Sequence, residues 1–143
     1  MHSGEIEGKP SANGIHSWKS NHLTIINNTI KGHRDGIYLE FVNHSHIEDN
    51  QAIDNSRYGM HFMFSHDNVF EENTFAGNGA GVAVMYSKRV SMYNNTFKHN
   101  WGSAAYGLLL KGMDDSDITG NIFTENTMGI YADGANRIEL KNN

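Results

Sequence analysis

Asparagine and glycine recur along the chain at a nearly constant spacing, with short hydrophobic segments between them. One column of asparagines repeats at intervals of 22, 23, 22, 26 and 22 residues: Asn28, Asn50, Asn73, Asn95, Asn121 and Asn143. A second polar column follows five residues later: His33, Asn55, Asn78, Asn100 and Asn126. A fixed period in this range is typical of a solenoid, in which each repeat is one coil that packs only against its neighbours.

The hydrophobic residues within each repeat alternate with polar or small residues, and a period of two is the period of a β-strand. A column of glycines is followed, one and three residues later, by residues that are mostly apolar: Gly14, Gly36, Gly59, Gly81, Gly107 and Gly129. Further apolar positions lie three residues before and two residues after the asparagines of the first column. Each coil is therefore predicted to contain several short β-segments that face one core.

We predict an all-β fold, a right-handed parallel β-helix of about six coils with a period of about 22 residues. A leucine-rich repeat would have a similar period, but the sequence lacks the regular leucines and the helical segment of that fold. Coils stacked about 4.8 Å apart would bring the asparagines of one column within hydrogen-bonding distance of each other. The asparagine column is thus predicted to be a structural ladder that satisfies buried amide groups.

The columns also locate an insertion and the limits of the repeat. Four extra residues lie within residues 101–106, so this coil should have a longer turn that points outward. The repeat is already established at Gly14 and reaches its last ladder position at Asn143. We interpret residues 1–143 as a single β-helix fragment of a longer solenoid, in which residues 1–13 form a partial coil and the first few are left over from cloning.

Composition excludes several classes of protein. The 143 residues correspond to one ordinary domain, and the net charge of −5 makes a nucleic acid an unfavourable partner. Cysteine is absent, so the sequence has no disulfides, thiolate zinc sites or cysteine nucleophiles. The sequence also lacks an apolar stretch long enough to cross a membrane and a recognisable signal peptide.

Three residues suggest a copper site on the outside of the solenoid. Residues two and four positions after each column glycine should face outward, which makes Met63 and Met85 neighbours on adjacent strands. His61 lies two residues from Met63 on the same strand. Two thioethers and one imidazole are ligands that suit Cu(I). The simpler interpretation is that the methionines pack on a half-exposed sheet or form an adaptable contact surface.

Four aromatic residues are candidates for contact with another protein. Trp101 and Tyr106 belong to the predicted insertion, and Tyr38 and Tyr131 occupy outward positions of the glycine-based columns. Amphipathic aromatic side chains are favoured at protein interfaces, especially on a loop that projects from the surface. The alternative for Trp101 is that its ring folds back over its own coil.

Other polar clusters provide weaker signals. Asp114, Asp115 and Asp117 resemble paired acids for glycoside cleavage or ligands for Ca²⁺, but they lie in a turn column, where aspartate is common. No basic residue is positioned by the sequence to abstract a proton, so we assign no catalytic residue. His44 and His46 would share one face of a strand, but without a carboxylate to orient them we interpret them as turn residues.

Five segments carry side chains beyond the general asparagine and glycine pattern: residues 34–41, 56–63, 78–87, 100–111 and 129–137. They resemble the NosD family, the periplasmic proteins that mature nitrous oxide reductase. The resemblance implies a β-helix of the carbohydrate-binding and sugar-hydrolase type in the periplasm. It also implies three partners: an ABC transporter, a copper chaperone and the reductase, during assembly of the reductase's copper–sulfur centre. The resemblance supplies no copper ligands, so the Met63, Met85 and His61 hypothesis rests on column geometry.

We therefore interpret the chain as a non-enzymatic accessory protein of denitrification that forms a docking platform, with Cu(I) bound at most transiently. The main alternative is a carbohydrate-active β-helix, either a hydrolase, a lyase or an epimerase. The Asp-Pro-His-Asp signature associated with β-helical alginate epimerases cannot occur, because the only proline is Pro10. A third class is a plain structural solenoid, such as an adhesin segment.

Overall fold

The computed structural model describes residues 4–103 and 105–143. Residues 1–3 and Ala104 of the predicted insertion lie outside the described residues. The strands are β1 (Gly4–Glu7), β2 (Asn13–Asn21), β3 (Thr24–Ile26), β4 (Asn28–Lys31), β5 (Asp35–Asn43), β6 (His46–Glu48), β7 (Gln51–Ile53), β8 (Tyr58–Met63), β9 (Val69–Glu71), β10 (Thr74–Ala76), β11 (Ala80–Met85), β12 (Ser91–Tyr93), β13 (Thr96–Lys98), β14 (Tyr106–Lys111), β15 (Asp114–Thr119), β16 (Ile122–Thr124), β17 (Met128–Asp133) and β18 (Asn136–Lys141). This part of the chain contains no helix with the length and hydrophobicity needed to cross a membrane.

The strands form three parallel sheets, and successive strands of a sheet come from successive coils. The first sheet has the order β1-β4-β7-β10-β13-β16, the second β17-β14-β11-β8-β5-β2 and the third β18-β15-β12-β9-β6-β3. Paired residues are one repeat apart, as Ile37 with Met60 and Val82 with Leu108. This topology confirms the predicted all-β solenoid of about six coils with a period of about 22 residues.

The core fills the space that the three sheets enclose. The residues one and three positions after the column glycines are fully buried in the central coils: Ile37, Leu39, Met60, Phe62, Val82, Val84, Leu108 and Leu110. From the first sheet, the rings of Phe75, Phe97 and Phe123 stack with centroid separations of 5.3 and 4.6 Å. Each fully buried side chain of this size contributes about 2 kcal/mol relative to an exposed one, so the stacked columns hold neighbouring coils together.

The asparagine column forms the predicted ladder. The backbone N–H of Asn50 donates to Oδ1 of Asn73 at 2.9 Å, and the amide Nδ2 of Asn50 donates to the same oxygen at 3.0 Å. Asn50 Nδ2 also donates to the carbonyl oxygens of Ile25 at 2.8 Å and Glu48 at 2.9 Å. The pattern is repeated on the next coil, where the backbone N–H of Asn73 donates to Asn95 at 3.0 Å. The ladder thus satisfies backbone groups at a bend that water does not reach.

The corner between the second and third sheets consists of single residues with left-handed backbone angles. Phe41, Phe64 and Tyr86 have φ values of 55°, 50° and 53°, and glycines occupy the same corner in the following two coils. L-residues with bulky side chains rarely adopt this region, because the side chain crowds its own backbone. The consequence is that three large aromatic side chains turn outward where strict strand alternation would point them into the core.

Candidate functional site

The outward face of the second sheet brings together most of the residues that the sequence singles out. Met63 of β8 and Met85 of β11 are register partners, so the predicted adjacency of the two methionines is confirmed. His61 lies two residues before Met63 on β8, and its register partner on β5 is Tyr38. The predicted Cu(I) ligands and one predicted contact residue therefore share one surface, centred on β5, β8 and β11.

His61 is buried, although its position on the strand faces away from the core. Only 8% of its side chain is exposed, because the rings of Tyr38 and Tyr58 cover it at centroid separations of 5.0 and 4.8 Å. Both ring nitrogens are inaccessible to solvent and make no hydrogen bond. Nδ1 lies 3.8 Å from Oδ2 of Asp35, which is too long for a hydrogen bond. To bind copper together with Met63, the imidazole would have to be uncovered.

Asp35 is a buried carboxylate beneath this surface. Arg57 donates to both of its oxygens, from Nε at 2.8 Å and from Nη2 at 2.5 Å. Burial by itself raises the pKa of Asp35, but the hydrogen bonds from Arg57 and the proximity of His61 outweigh burial and lower the pKa to about 2. Asp35 is therefore charged at neutral pH and holds the Arg57 side chain at the edge of the sheet.

We call Asp35, Arg57 and His61, with the tyrosines that cover His61, the buried cluster. Tyr38 connects this cluster to the methionines. Its hydroxyl lies 2.7 Å from Oε2 of Glu40 and 3.9 Å from Sδ of Met63. Burial and the hydrogen bond to Glu40 raise the pKa of Tyr38 to about 12. The phenol is therefore neutral at physiological pH, and it acts as a hydrogen-bond donor beside the thioether of Met63. Both methionines are half-buried, so their sulfurs sit at the surface without projecting from it.

Three stacked aromatic rings form a feature that the sequence reasoning missed. The rings of Phe41 and Phe64 are 5.2 Å apart, and those of Phe64 and Tyr86 are 5.3 Å apart. We call these three residues the aromatic ladder. Between 38% and 42% of each residue is exposed. Each residue directly follows an outward position of its strand, as Phe64 follows Met63 and Tyr86 follows Met85. The sequence signal for the aromatic ladder is a column of aromatic residues five positions after the column glycines.

Two grooves flank the buried cluster, and Arg57 lines both. The first has a volume of about 450 Å³ and is lined by His16, Trp18, Arg34, Tyr38 and Glu40. The second has a volume of about 330 Å³ and lies between Tyr58 and the insertion that carries Trp101. Trp101 is 63% exposed, so its ring projects outward and does not fold back over the coil.

The other two predicted contact residues lie farther along the same sheet. Tyr106 of β14 and Tyr131 of β17 stack with a centroid separation of 5.2 Å. Tyr131 is exposed and Tyr106 is half-buried. The four candidate contact residues therefore divide into Tyr38 within the buried cluster, Trp101 at the edge of the second groove and the Tyr106–Tyr131 pair.

The acidic segment and the two histidines that gave weaker sequence signals contact neighbouring residues in the structure. Asp115 pairs with Arg137 on the next coil, with its Oδ1 2.5 Å from Nε. Asp117 accepts a hydrogen bond from Tyr93 at 3.2 Å. These contacts agree with the interpretation of the acidic segment as structural. His44 stacks on His22 at 5.5 Å. His46 instead contacts two glutamates, which the sequence reasoning did not connect with it.

Comparison with known proteins identifies a family. The sequence model of the family described as periplasmic copper-binding protein (NosD) matches residues 2–143. A search of curated protein sequences found no match.

Three solved structures with a similar fold are alginate epimerases. The A-module of the mannuronan C-5 epimerase AlgE4 from Azotobacter vinelandii superposes with a TM-score of 0.72 at 16% identity, covering 96% of this chain and 46% of that one. The periplasmic alginate epimerase AlgG superposes with a TM-score of 0.60 at 15% identity, covering 94% and 38%. The T265N T268M double mutant of AlgG gives a TM-score of 0.65 at 16% identity, with coverages of 94% and 38%. The chain spans less than half the length of these proteins, and at this identity the likeness establishes the β-helix fold alone.

Proposed function

Because the chain belongs to the NosD family of periplasmic copper-binding proteins, we propose that it assists the maturation of the copper centre of nitrous oxide reductase. In this proposal the chain is an accessory protein without catalytic activity. Its outward surface is a docking platform for a copper chaperone and the reductase, and an ABC transporter is the third partner of the assembly.

The observation that carries this proposal is a set of exposed and half-buried apolar side chains on and beside the second sheet. We define the docking face as the aromatic ladder with the half-buried methionines and the exposed indole, which Glu40 separates from Met63: Phe41, Phe64, Tyr86, Met63, Met85 and Trp18. Large exposed apolar patches are uncommon on monomeric soluble proteins and mark interaction sites. Methionines add a flexible and polarizable component that adapts to a partner.

The backbone of the aromatic ladder supports the same conclusion. Three bulky residues hold left-handed φ values that cost free energy. Stacking buries part of each ring, but 38% to 42% of each residue stays exposed. Gly112 takes the same corner position in the next coil and leaves room for the ring of Tyr86, since a Cβ at position 112 would lie only 2.7 Å from Cδ1 of Tyr86. Retention of strained, exposed aromatic rings is expected where the rings contact a partner.

The docking proposal is tested by measuring binding to purified apo-reductase and to the chaperone with biolayer interferometry. The variant is Phe64→Asn with Tyr86→Asn, because asparagine tolerates left-handed backbone angles and should preserve the corner. We expect the affinity for one of these partners to fall about tenfold or more, as for central aromatic residues of an interface. Ile122→Asn, at an exposed apolar position on the first sheet, is the matched control. Equal affinities of the double variant and the wild type would contradict the proposal.

Within the docking face, the methionine pair offers two sulfur ligands for copper. Met63 and Met85 are register partners, and Cu(I) accepts low coordination numbers with sulfur ligands. His61 would complete the site only after movement of Tyr38 or Tyr58. We therefore propose that Cu(I) is held transiently by the two thioethers and that His61 joins when a partner displaces the covering rings.

Copper binding is tested by anaerobic titration with Cu(I) against a competing chelator. The variant is Met63→Leu with Met85→Leu, and the matched control is Met128→Leu, at an exposed methionine on another strand of the second sheet. We expect stoichiometric binding by the wild type and the control, and loss of binding in the double variant. Absence of binding by all three proteins would reject the copper site and leave the docking proposal unaffected.

A second candidate function, binding of an acidic sugar, is favoured by the first groove. Its walls combine the guanidinium groups of Arg34 and Arg57 with the rings of Trp18 and Tyr38. Charged groups beside aromatic rings suit an anionic sugar, and three solved structures with a similar fold are enzymes named for alginate. We propose this groove as a binding site alone and assign no catalytic role to the His16 and Tyr38 side chains that line it.

The sugar candidate is separated from the docking proposal by calorimetric titration with oligomannuronate and with an uncharged cello-oligosaccharide. Saturable binding of the acidic oligomer alone, weakened in Trp18→Ala and retained in Trp101→Ala, would support the sugar site. No heat of binding from either oligomer would reject it.

A further inference from the structure

A second set of metal-ligating side chains lies on the outward face of the third sheet. His46 and Glu48 occupy alternate positions of β6, and Glu71 of β9 is the register partner of Glu48. Nε2 of His46 lies 3.2 Å from Oε2 of Glu48 and 2.9 Å from Oε1 of Glu71. One ligand atom from each of the three residues lies within 4.8 Å of the others. The imidazole nitrogen thus faces a space bounded by two carboxylates.

The spacing of these atoms matches the spacing around a metal ion. Ligand atoms about 2.1 Å from a common ion are about 3.0 to 3.4 Å apart in octahedral or tetrahedral geometry. The separations of 2.9 and 3.2 Å from the imidazole nitrogen fall close to that range. All three side chains are half-buried, which leaves room for water molecules as further ligands.

The electrostatics of the cluster also favour a cation. Two like charges directly opposite each other on adjacent strands are unfavourable. Within the described part of the chain, no lysine or arginine forms an ion pair with Glu48 or Glu71, and both carboxylates converge on His46. Nε2 of His46 is shielded from solvent and makes no hydrogen bond of acceptable geometry. The nitrogen faces the two carboxylates, and a cation bound between the three groups would give each of them a partner.

We propose that His46, Glu48 and Glu71 bind a divalent transition-metal ion, Zn²⁺ or Cu²⁺. One imidazole and two carboxylates are borderline and hard donors, which suit these ions and disfavour Cu(I). The site lies on a different sheet from the methionine pair and has a different donor set. It therefore does not depend on the copper route proposed above, and the two sites can be tested separately.

The first experiment is calorimetric titration of the metal-free chain with Zn²⁺. We expect one saturable site in the wild type and an affinity lower by about tenfold or more in His46→Gln and in Glu71→Gln. His99→Gln is the matched control, because His99 Nδ1 also contacts a glutamate, Glu125, at 2.8 Å, but belongs to no such three-ligand cluster among the described residues. Circular dichroism of each variant establishes that the fold is retained.

A second measurement identifies the ligands directly. We expect the electron paramagnetic resonance spectrum of the Cu²⁺-loaded chain to show coupling to one imidazole nitrogen, and the coupling to disappear in His46→Gln. The Met63→Leu/Met85→Leu variant should bind Zn²⁺ like the wild type. The proposal is overturned if Zn²⁺ does not bind saturably, or if His46→Gln and Glu71→Gln bind it with wild-type affinity.

Discussion

Asp35 shows how one buried charge organises the candidate site. Its carboxylate is inaccessible to solvent and depends on Arg57, which comes from the next coil and is itself partly exposed. The pair fixes the edge of both grooves, and Asp35 lies 3.8 Å from the enclosed imidazole of His61. A buried carboxylate that loses its hydrogen-bonded cation is strongly destabilising, whereas an exposed pair contributes little. Arg34 Nε, at 3.9 Å from Oδ2 of Asp35, is too distant to replace the two hydrogen bonds from Arg57. Replacing the arginine should therefore lower the free energy of unfolding more in a buried pair than in an exposed pair.

We expect Arg57→Gln to destabilise the chain at pH 7 by about 1 to 2 kcal/mol, after allowing for the exposure of Arg57. The folded-state pKa of Asp35 is lowered from 3.8 to about 2, so its stabilising contribution is complete above pH 3.8 and is lost as the pH falls through 2. The difference between variant and wild type should therefore shrink in acid. Urea unfolding at pH 7 and at pH 3 measures both effects.

The control for this prediction is Arg89→Gln. Arg89 pairs with Asp67 in the same bidentate way and at the same sequence separation, but on the exposed surface. We expect a much smaller change in its unfolding free energy at pH 7. Equal destabilisation by the two substitutions would show that burial of Asp35 is not the cause.

At the scale of the strand, close contact between coils limits the residues that begin each strand of the second sheet. A Cβ on Gly59 would lie 2.7 Å from the carbonyl oxygen of Gly81 and 2.8 Å from Nδ2 of Asn78. These atoms belong to the backbone and to Asn78 of the second polar column, whose Oδ1 accepts two hydrogen bonds from Asn55, so neither can move easily. At Gly129, in the last coil, a Cβ would meet Cβ of Phe123 at 3.8 Å and no other atom of the described residues within 4 Å. The glycine column thus reflects stacking on a following coil.

We expect Gly59→Ala to destabilise the chain by about 2 kcal/mol or more, because it forces the two coils apart. Gly129→Ala should change the stability by less than about 0.5 kcal/mol, since the new methyl group meets no obstruction. Thermal and urea unfolding of both variants provide the comparison. A similar loss at both positions would mean that backbone conformation, and not the contact with the next coil, selects glycine.

At the scale of the whole molecule, each coil of the solenoid packs against the coils on either side of it. Side chains of the core columns are buried in the central coils but become accessible in the last one. Leu140 continues the column of Ile118 and is 51% exposed. Stacking another coil on this surface would bury it, and unpaired strand edges favour such addition.

We expect the free chain of 143 residues to self-associate at high concentration through this surface. Leu140→Asp should shift the equilibrium toward the monomer, because a carboxylate would be buried in the contact. Sedimentation velocity over a range of concentrations measures the effect. A wild-type sedimentation coefficient that is independent of concentration would contradict this prediction.

The repeating pattern of residues is enough to predict the period, the asparagine ladder, the buried columns and the pairing of Met63 with Met85. These features follow from residues that repeat at one position of every coil, so stacking places them together whatever the detailed shape of the turns. The glycine and asparagine columns are sufficient to set that register.

The accessibility of the outward side chains and the contacts between polar groups depend instead on how the coils pack. Phe41 lies at a position where strand alternation predicts burial, but its left-handed backbone turns the ring outward. His61 faces outward and is nevertheless covered by two tyrosines, and His46 gains its carboxylate neighbours only where two coils meet. The physical reason is that the direction of a side chain at a corner depends on one backbone angle, and its neighbours belong to other coils, neither of which a local pattern contains.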